Sequence, residues 1–209
     1  MTDIKLFYHP GACSLAPHIL LQESGVQFHT QKETIGQFSP ELLALNPKAR
    51  VPVLKIDNAT ITENLAIMTA ISNLVPEKQF LGAPDTLETV RVAEWIAWLS
   101  GTLHGNAFGL LFRPARFTDD ESCFDSLKQK GRELVRECFE SIEKKLVGVH
   151  AVGERFTAVD AYLLVFYRWG GEVGFDMKML YPKYAALATE VLARPSAVSA
   201  LAAEGLKSN

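Results

Sequence analysis

The hydrophobic pattern of this chain changes period once, and that change constrains its architecture more than any other feature. Up to about Leu74, short strand-like runs alternate with helical ones: Ile4–Phe7, a helix ending at Gly25, Gln27–Lys32, a helical stretch at Pro40–Leu45, Val51–Ile56, Thr60–Ile61, and a helix from Glu63. Val51–Ile56, the Asp57-Asn58 turn and the short run after it read as a β-hairpin, so the first part predicts a small mixed sheet with flanking helices. Pro76 to Asp85 holds two prolines, a glycine and charged residues and reads as a linker. Beyond it apolar residues recur at helical spacing over Leu87–Leu111, Cys123–Val147, Val159–Trp169, Tyr184–Leu192 and Ala197–Leu201, with no alternating β-branched run. The expectation is two units, 1–79 and 85–209, α/β followed by all-α, with the linker at 76–85. Within the second, Thr157-Ala158-Val159-Asp160 predicts an N-cap with an acidic residue reaching back to the exposed amide.

Several function classes fall away on charge and cysteine usage. A net charge of −3 without a Lys/Arg cluster argues against nucleic acid or an anionic membrane surface as partner. The longest apolar run, Ala161–Tyr167, is far short of the ~20 residues a membrane span needs. No basic segment with a hydrophobic signal core follows Met1, so a cytoplasmic location is expected. The three cysteines, Cys13, Cys123 and Cys138, form an odd set with no metal-like or C-x-x-C spacing, so neither a metal nor a disulfide framework is implied. If Cys123 and Cys138 share one helix, they stand about 22 Å apart and read as buried thiols.

Cys13 differs from the other two by position. It follows the first strand through Pro10-Gly11 and stands where the next helix opens, at Ser14-Leu15. Unpaired amides and the helix dipole favour a thiolate there, which predicts a pKa below the free value of about 8.5. Position 16, where a C-x-x-C dithiol would carry its second sulfur, is Ala16, so redox chemistry at Cys13 needs an external thiol. Val51-Pro52 stands at a strand entrance. In cis it would turn the Val51 amide and carbonyl outward to pair with a peptide-like ligand; in trans it is an ordinary edge-strand proline. Thr62-Glu63-Asn64 opens a helix and suits either a carboxylate and ammonium clamp or a plain N-cap with a first-turn acid.

The blocks Leu6-Phe7-Tyr8, Pro10 to Ala16, Asn46-Pro47-Lys48, Val51-Pro52, Phe156 to Tyr162 and Ala203 to Lys207 together resemble a bacterial glutathione S-transferase of the beta class, over nearly the whole length. The resemblance implies a thioredoxin-like N-terminal domain, an all-helical C-terminal domain, a homodimer, and glutathione as co-substrate in a cleft between the domains. It makes Cys13 the residue that meets the glutathione sulfur, with Ser14 its hydrogen-bonding neighbour. It gives Val51 the pairing with the cysteinyl backbone and Glu63 and Asn64 the γ-glutamyl end, and it brings His104 to the thiol site. The implied reaction is attack of the glutathione thiolate on a hydrophobic electrophile, with Phe108, Phe112 and Tyr167 as candidate pocket walls. Thiol–disulfide exchange through Cys13 is a second activity, and a non-catalytic ligand-binding or partner-binding scaffold is the alternative.

The sequence departs from the family pattern in places. Gly105 stands where a lysine is usual, Ala97 and Thr102 where an asparagine and a glutamate are usual, and Asn64 where a small residue is usual. The loop from Lys32 to Pro40 is short and lacks the family's basic residue. Losing two charged hydrogen bonds, at ~1.5–3 kcal/mol each, weakens binding about 100-fold or more.

Overall fold

In the computed structural model, which describes residues 2–207, the first part folds around a four-stranded sheet. Its strands are β1 (Ile4–Tyr8), β2 (His29–Lys32), β3 (Val53–Ile56) and β4 (Ala59–Thr62), in the order β2-β1-β3-β4. β1 runs parallel to β2 and antiparallel to β3, and β3–β4 is the expected hairpin. The period-2 alternation of β1 sends Ile4, Leu6 and Tyr8 into the main core and Phe7 to the opposite face, where it packs with Leu42 and Val53. Helix α2 (Pro40–Leu45) covers that second face through Leu42, while α1 (Leu15–Ser24) and α3 (Asn64–Leu74) belong to the first.

Helix α1 is buried nearly all round, because it packs on α3 and also on two helices of the second part. It stops at Gly25, whose φ of 76° is the left-handed conformation that ends a helix at least cost for glycine. Pro76–Lys78 is a single 3-10 turn, and the linker after it is anchored: Phe80 is buried against Phe156, and its carbonyl accepts the Ala158 amide at 2.8 Å.

The second part is built of helices joined by turns and loops, with no strand among its described residues. Helix α4 (Leu87–Trp98) passes into a π-wound stretch, Leu99–Phe108, and then into one α turn, α5 (Gly109–Phe112). There follow α6 (Phe124–Lys145), α7 (Ala158–Glu172), α8 (Met177–Leu180), α9 (Pro182–Leu192) and α10 (Pro195–Glu204). Helix α7 is the central element, buried from Ala158 through Phe166, and α1 seats against both α7 and α10. No helix of the described residues is long and apolar enough to cross a membrane.

The expectation for the two distal cysteines is corrected. The Asp120 carboxylate caps a separate turn, Glu121–Cys123, so Cys123 precedes α6 and is half-buried; only Cys138 lies in α6 and is buried.

The cap expected at Thr157 is present. The Thr157 amide donates to Asp160 Oδ2 at 2.7 Å, and Asp160 Oδ1 accepts the Ala151 amide at 2.8 Å, with the carboxylate fully buried. Thr157→Ala is expected to cost about 1 kcal/mol. Asp160→Ala leaves two amides without their acceptor and is expected to cost at least twice as much. Urea unfolding measures both, and equal midpoints for Asp160→Ala and the parent chain would contradict the assignment.

Candidate active site

A cleft of about 940 Å³ opens between the two parts, lined from one side by His9–Cys13, Ile35–Phe38, Lys48–Pro52 and Thr62–Asn64 and from the other by residues of the π-wound stretch, α5 and α7. The loop that carries Cys13 is held from outside. Gly11, at φ 71°, donates its amide to Glu204 Oε2 at 2.8 Å and accepts Trp169 Nε1 on its carbonyl at 2.8 Å. Two helices of the second part thus fix the backbone two residues before the thiol.

Cys13 lies just before the cap of α1; the capping position itself is Ser14. The Ser14 hydroxyl accepts the His9 amide and donates to the His9 carbonyl, each at 3.2 Å, so it ties the loop to β1. The Cys13 thiol donates to the Val51 carbonyl at 3.5 Å. The Val51-Pro52 bond is cis, the first of the two forms the sequence allowed, and it leaves that carbonyl facing the thiol.

The low pKa expected of Cys13 is not found. Burial pushes the thiol up to about 11, against the lowering pull of the Asn64 side chain and the Arg113 charge. A helix terminus contributes about 0.3–1 kcal/mol, less than one pKa unit, and burial at 7 % exposure outweighs it. Cys13 is therefore a hydrogen-bond donor at neutral pH.

Glu63 and Asn64 stand where β4 turns into α3. Glu63 holds φ 73°, a conformation sparsely occupied outside glycine, and its exposed carboxylate pairs with the Lys48 ammonium. Helix α3 begins at Asn64, one residue later than expected. The Asn64 side chain is buried beside Cys13 and Tyr162, and its Oδ1 has no hydrogen-bond partner among the described residues.

From the helical wall, His104 places Nδ1 3.4 Å from the Tyr162 hydroxyl, and its ring packs against Trp169 with centroids 5.2 Å apart. Burial, with the charges of Arg113, Arg116 and Arg50, pushes its pKa down to about 4, so the imidazole is neutral at physiological pH. Ser100 donates to the Tyr162 hydroxyl at 3.4 Å. Burial and the nearby Cys13 raise Tyr162 well above its ordinary value, which keeps it a neutral phenol.

Phe108 and Phe112 line the cleft, stacked at 5.2 Å, as does Trp169. Tyr167 does not: it packs on Tyr184 at 5.3 Å and borders a separate cavity of about 220 Å³. The sequence reading missed Tyr162 and Trp169 as cleft residues, although Tyr162, Phe166 and Trp169 share one face of α7 at positions i, i+4 and i+7, and Tyr167 lies off that face. Of the departures from the family pattern, Gly105 lines the cleft, whereas Ala97 and Thr102 are exposed and outside its walls. Among the described residues no group of three His, Cys, Asp or Glu side chains forms a metal site.

A thioredoxin-like sheet unit presents a cysteine, beside the Val51 carbonyl that precedes the cis proline, to a cleft walled by an all-helical unit, and this defines a thiol-handling site. Residues 2–73 match the glutathione S-transferase N-terminal domain model and residues 106–195 match the C-terminal one. Glutathione S-transferase GstA of Escherichia coli O157:H7 is 36% identical, over 98% of this chain and 100% of its own length. Two solved structures superpose with TM-scores of 0.85, each covering 97% of this chain and 100% of its own: a sphingomonad glutathione S-transferase complexed with glutathione, 36% identical, and the bacterial beta-class enzyme of Sphingomonas chungbukensis, 35% identical. The chain belongs to the glutathione S-transferase family, and its likeness is to the bacterial beta class.

Proposed function

We propose that the cleft binds glutathione, lowers the pKa of its thiol through hydrogen bonds, and directs the thiolate at a hydrophobic electrophile held against the helical wall. The observation that carries this reading is the pairing of the Cys13 thiol with the Val51 carbonyl beside a buried, unpartnered Asn64 Oδ1. An extended peptide alongside Val51 would use its carbonyl and amide, and its cysteinyl sulfur would then stand beside Cys13, which at a pKa of about 11 donates to a thiolate rather than competing with it. Ser14 acts by holding the loop, not by touching sulfur.

The γ-glutamyl end falls to Glu63 and Asn64. Lys48 already supplies an ammonium to the Glu63 carboxylate, which a glutamyl ammonium would share, and Asn64, the next residue, offers an unpartnered Oδ1 on the side of Cys13 and Tyr162. His104, neutral and beside Tyr162, contributes a polar edge to the thiol region and no positive charge. Phe108, Phe112 and Trp169 wall the electrophile side. We assign the sheet unit to residues 1–79 and the helical unit to 85–209, and we expect a cytoplasmic homodimer whose assembly light scattering would read.

Calorimetric titration with reduced glutathione, with Cys13→Ala alongside, tests the proposal. Binding in the micromolar to low-millimolar range is expected for the parent protein, and weaker binding for the variant. No heat at cellular glutathione concentrations would leave a transferase-like scaffold as the better description.

A further inference from the structure

The cleft holds more positive charge than glutathione uses. Its lining carries Lys48, Arg50, Arg113 and Arg116 against a single carboxylate, Glu63, an excess of three, on a chain whose net charge is −3. Lys48 is paired with Glu63, but the side chains of Arg50, Arg113 and Arg116 make no ion pair with any described residue. They also oppose one another: burial, and then the charges of Arg113 and Arg50, push Arg116 down, and all three act on His104. Guanidinium groups held close without a counter-ion are stabilised by an anion that enters among them.

Bound glutathione supplies only part of that anion. As the thiolate it brings two carboxylates and the sulfur against one ammonium, so one positive charge remains. The arginines are also unevenly placed. Arg50 precedes Val51 on the peptide side, whereas Arg113 follows Phe112 directly at the end of α5 and Arg116 stands one turn further on, both at the edge of the aromatic wall. Phe108 and Phe112 stack there, and Trp169 meets Phe112 edge-on at 5.7 Å. Arg113 is near enough to the reacting region to act on Cys13.

We propose that the electrophile is itself anionic: a planar, apolar molecule whose ring lies on Phe108 and Phe112 and whose carboxylate pairs with Arg113 and Arg116. This rests on the glutathione reading. With an aryl chloride, the glutathione sulfur bonds to the ring carbon, chloride leaves with its electron pair, and the thiol proton passes to solvent. The guanidinium groups hold the substrate and face the negative charge that builds on the ring during attack.

The test uses matched acid and ester pairs on the full-length protein and on Arg113→Gln/Arg116→Gln. Calorimetry with unreactive 3-nitrobenzoate and its methyl ester reads the anion site alone, whether or not glutathione binds. The preference for the acid is expected to fall at least tenfold in the double variant, and an unchanged preference overturns the proposal. Turnover of 4-chloro-3-nitrobenzoate and its methyl ester with glutathione reads the reaction, and the ratio of kcat/KM for acid over ester is expected to fall to a similar degree. A higher KM for glutathione with an unchanged acid-to-ester ratio would assign the arginines to the tripeptide and overturn the proposal while leaving the transferase reading intact. Loss of acid preference on mutation in a protein that binds no glutathione would support the anion site and remove the transferase reading.

Discussion

Glu204→Ala is expected to destabilise the fold by roughly 2–6 kcal/mol, ~1–3 kcal/mol for each of two buried hydrogen-bonding groups left without a partner. Glu204 closes α10 and is 5 % exposed. Its Oε1 meets His18 Nδ1 at 2.9 Å with both side chains fully buried, and its Oε2 accepts the Gly11 amide at 2.8 Å. Both lose their partner in the variant. His18 has no second hydrogen bond to fall back on, since its Nε2 is already without a partner among the described residues. The loss is local as well as global, because Gly11 fixes the loop two residues before Cys13 while Trp169 holds its carbonyl. Guanidinium unfolding should show the shift. Glu204→Gln, which keeps an oxygen for one of the two donors, should lie between parent and alanine variant. At a temperature where Glu204→Ala stays folded, its affinity for glutathione should fall several-fold further than any unfolded fraction accounts for. A midpoint within about 0.5 kcal/mol of the parent would show that the pair carries no stability; retained affinity would show that the clamp does not position the loop.

How far such contacts were legible in the sequence depends on whether they are local. The strand at Ile4–Phe7, the hairpin at Asp57-Asn58, the stop at Gly25 and the Thr157–Asp160 cap are each set by residues within a few positions, and each stands within two residues of where the pattern placed it. The position of Cys13 was legible for the same reason. Its protonation was not, because the desolvation that raises it comes from residues far along the chain, whereas the helix terminus that favours a thiolate is adjacent. Ser14 stands next to the thiol in sequence, yet its hydroxyl points back to His9, a direction fixed by the turn rather than by proximity. The π winding of Leu99–Phe108 is also hidden, since one apolar pattern serves either helix over so short a span, and that winding sets which residues around His104 reach the cleft. The arginines are the clearest case: Arg50, Arg113 and Arg116 form no run in sequence, so a search for a basic cluster passes over them, and folding alone collects them.

Cys13→Ser is expected to abolish glutathione-dependent disulfide exchange while leaving part of the conjugation activity. Exchange requires the Cys13 sulfur to attack a glutathione mixed disulfide, forming a new S–S bond to one sulfur and expelling the other as a thiolate. With the buried methyl of Ala16 where a resolving thiol would stand, a second glutathione must then release the adduct. A serine oxygen forms no such bond, so exchange falls to the uncatalysed rate. Conjugation asks less of residue 13: a donor toward the glutathione thiolate, which a hydroxyl supplies, so at least about a tenth of the parent kcat/KM should survive. The two activities should also differ in pH dependence. A thiol held up to about 11 is largely protonated at neutral pH, and its thiolate fraction rises about tenfold per unit as pH climbs from 7 to 9. Exchange limited by Cys13 should follow that slope. Conjugation should instead level off once the glutathione thiol itself is ionised. Equal loss of both activities in Cys13→Ser would mean that one sulfur serves both reactions, and an exchange rate flat from pH 7 to 9 would mean that the bound ligand, and not burial, sets the ionisation of Cys13.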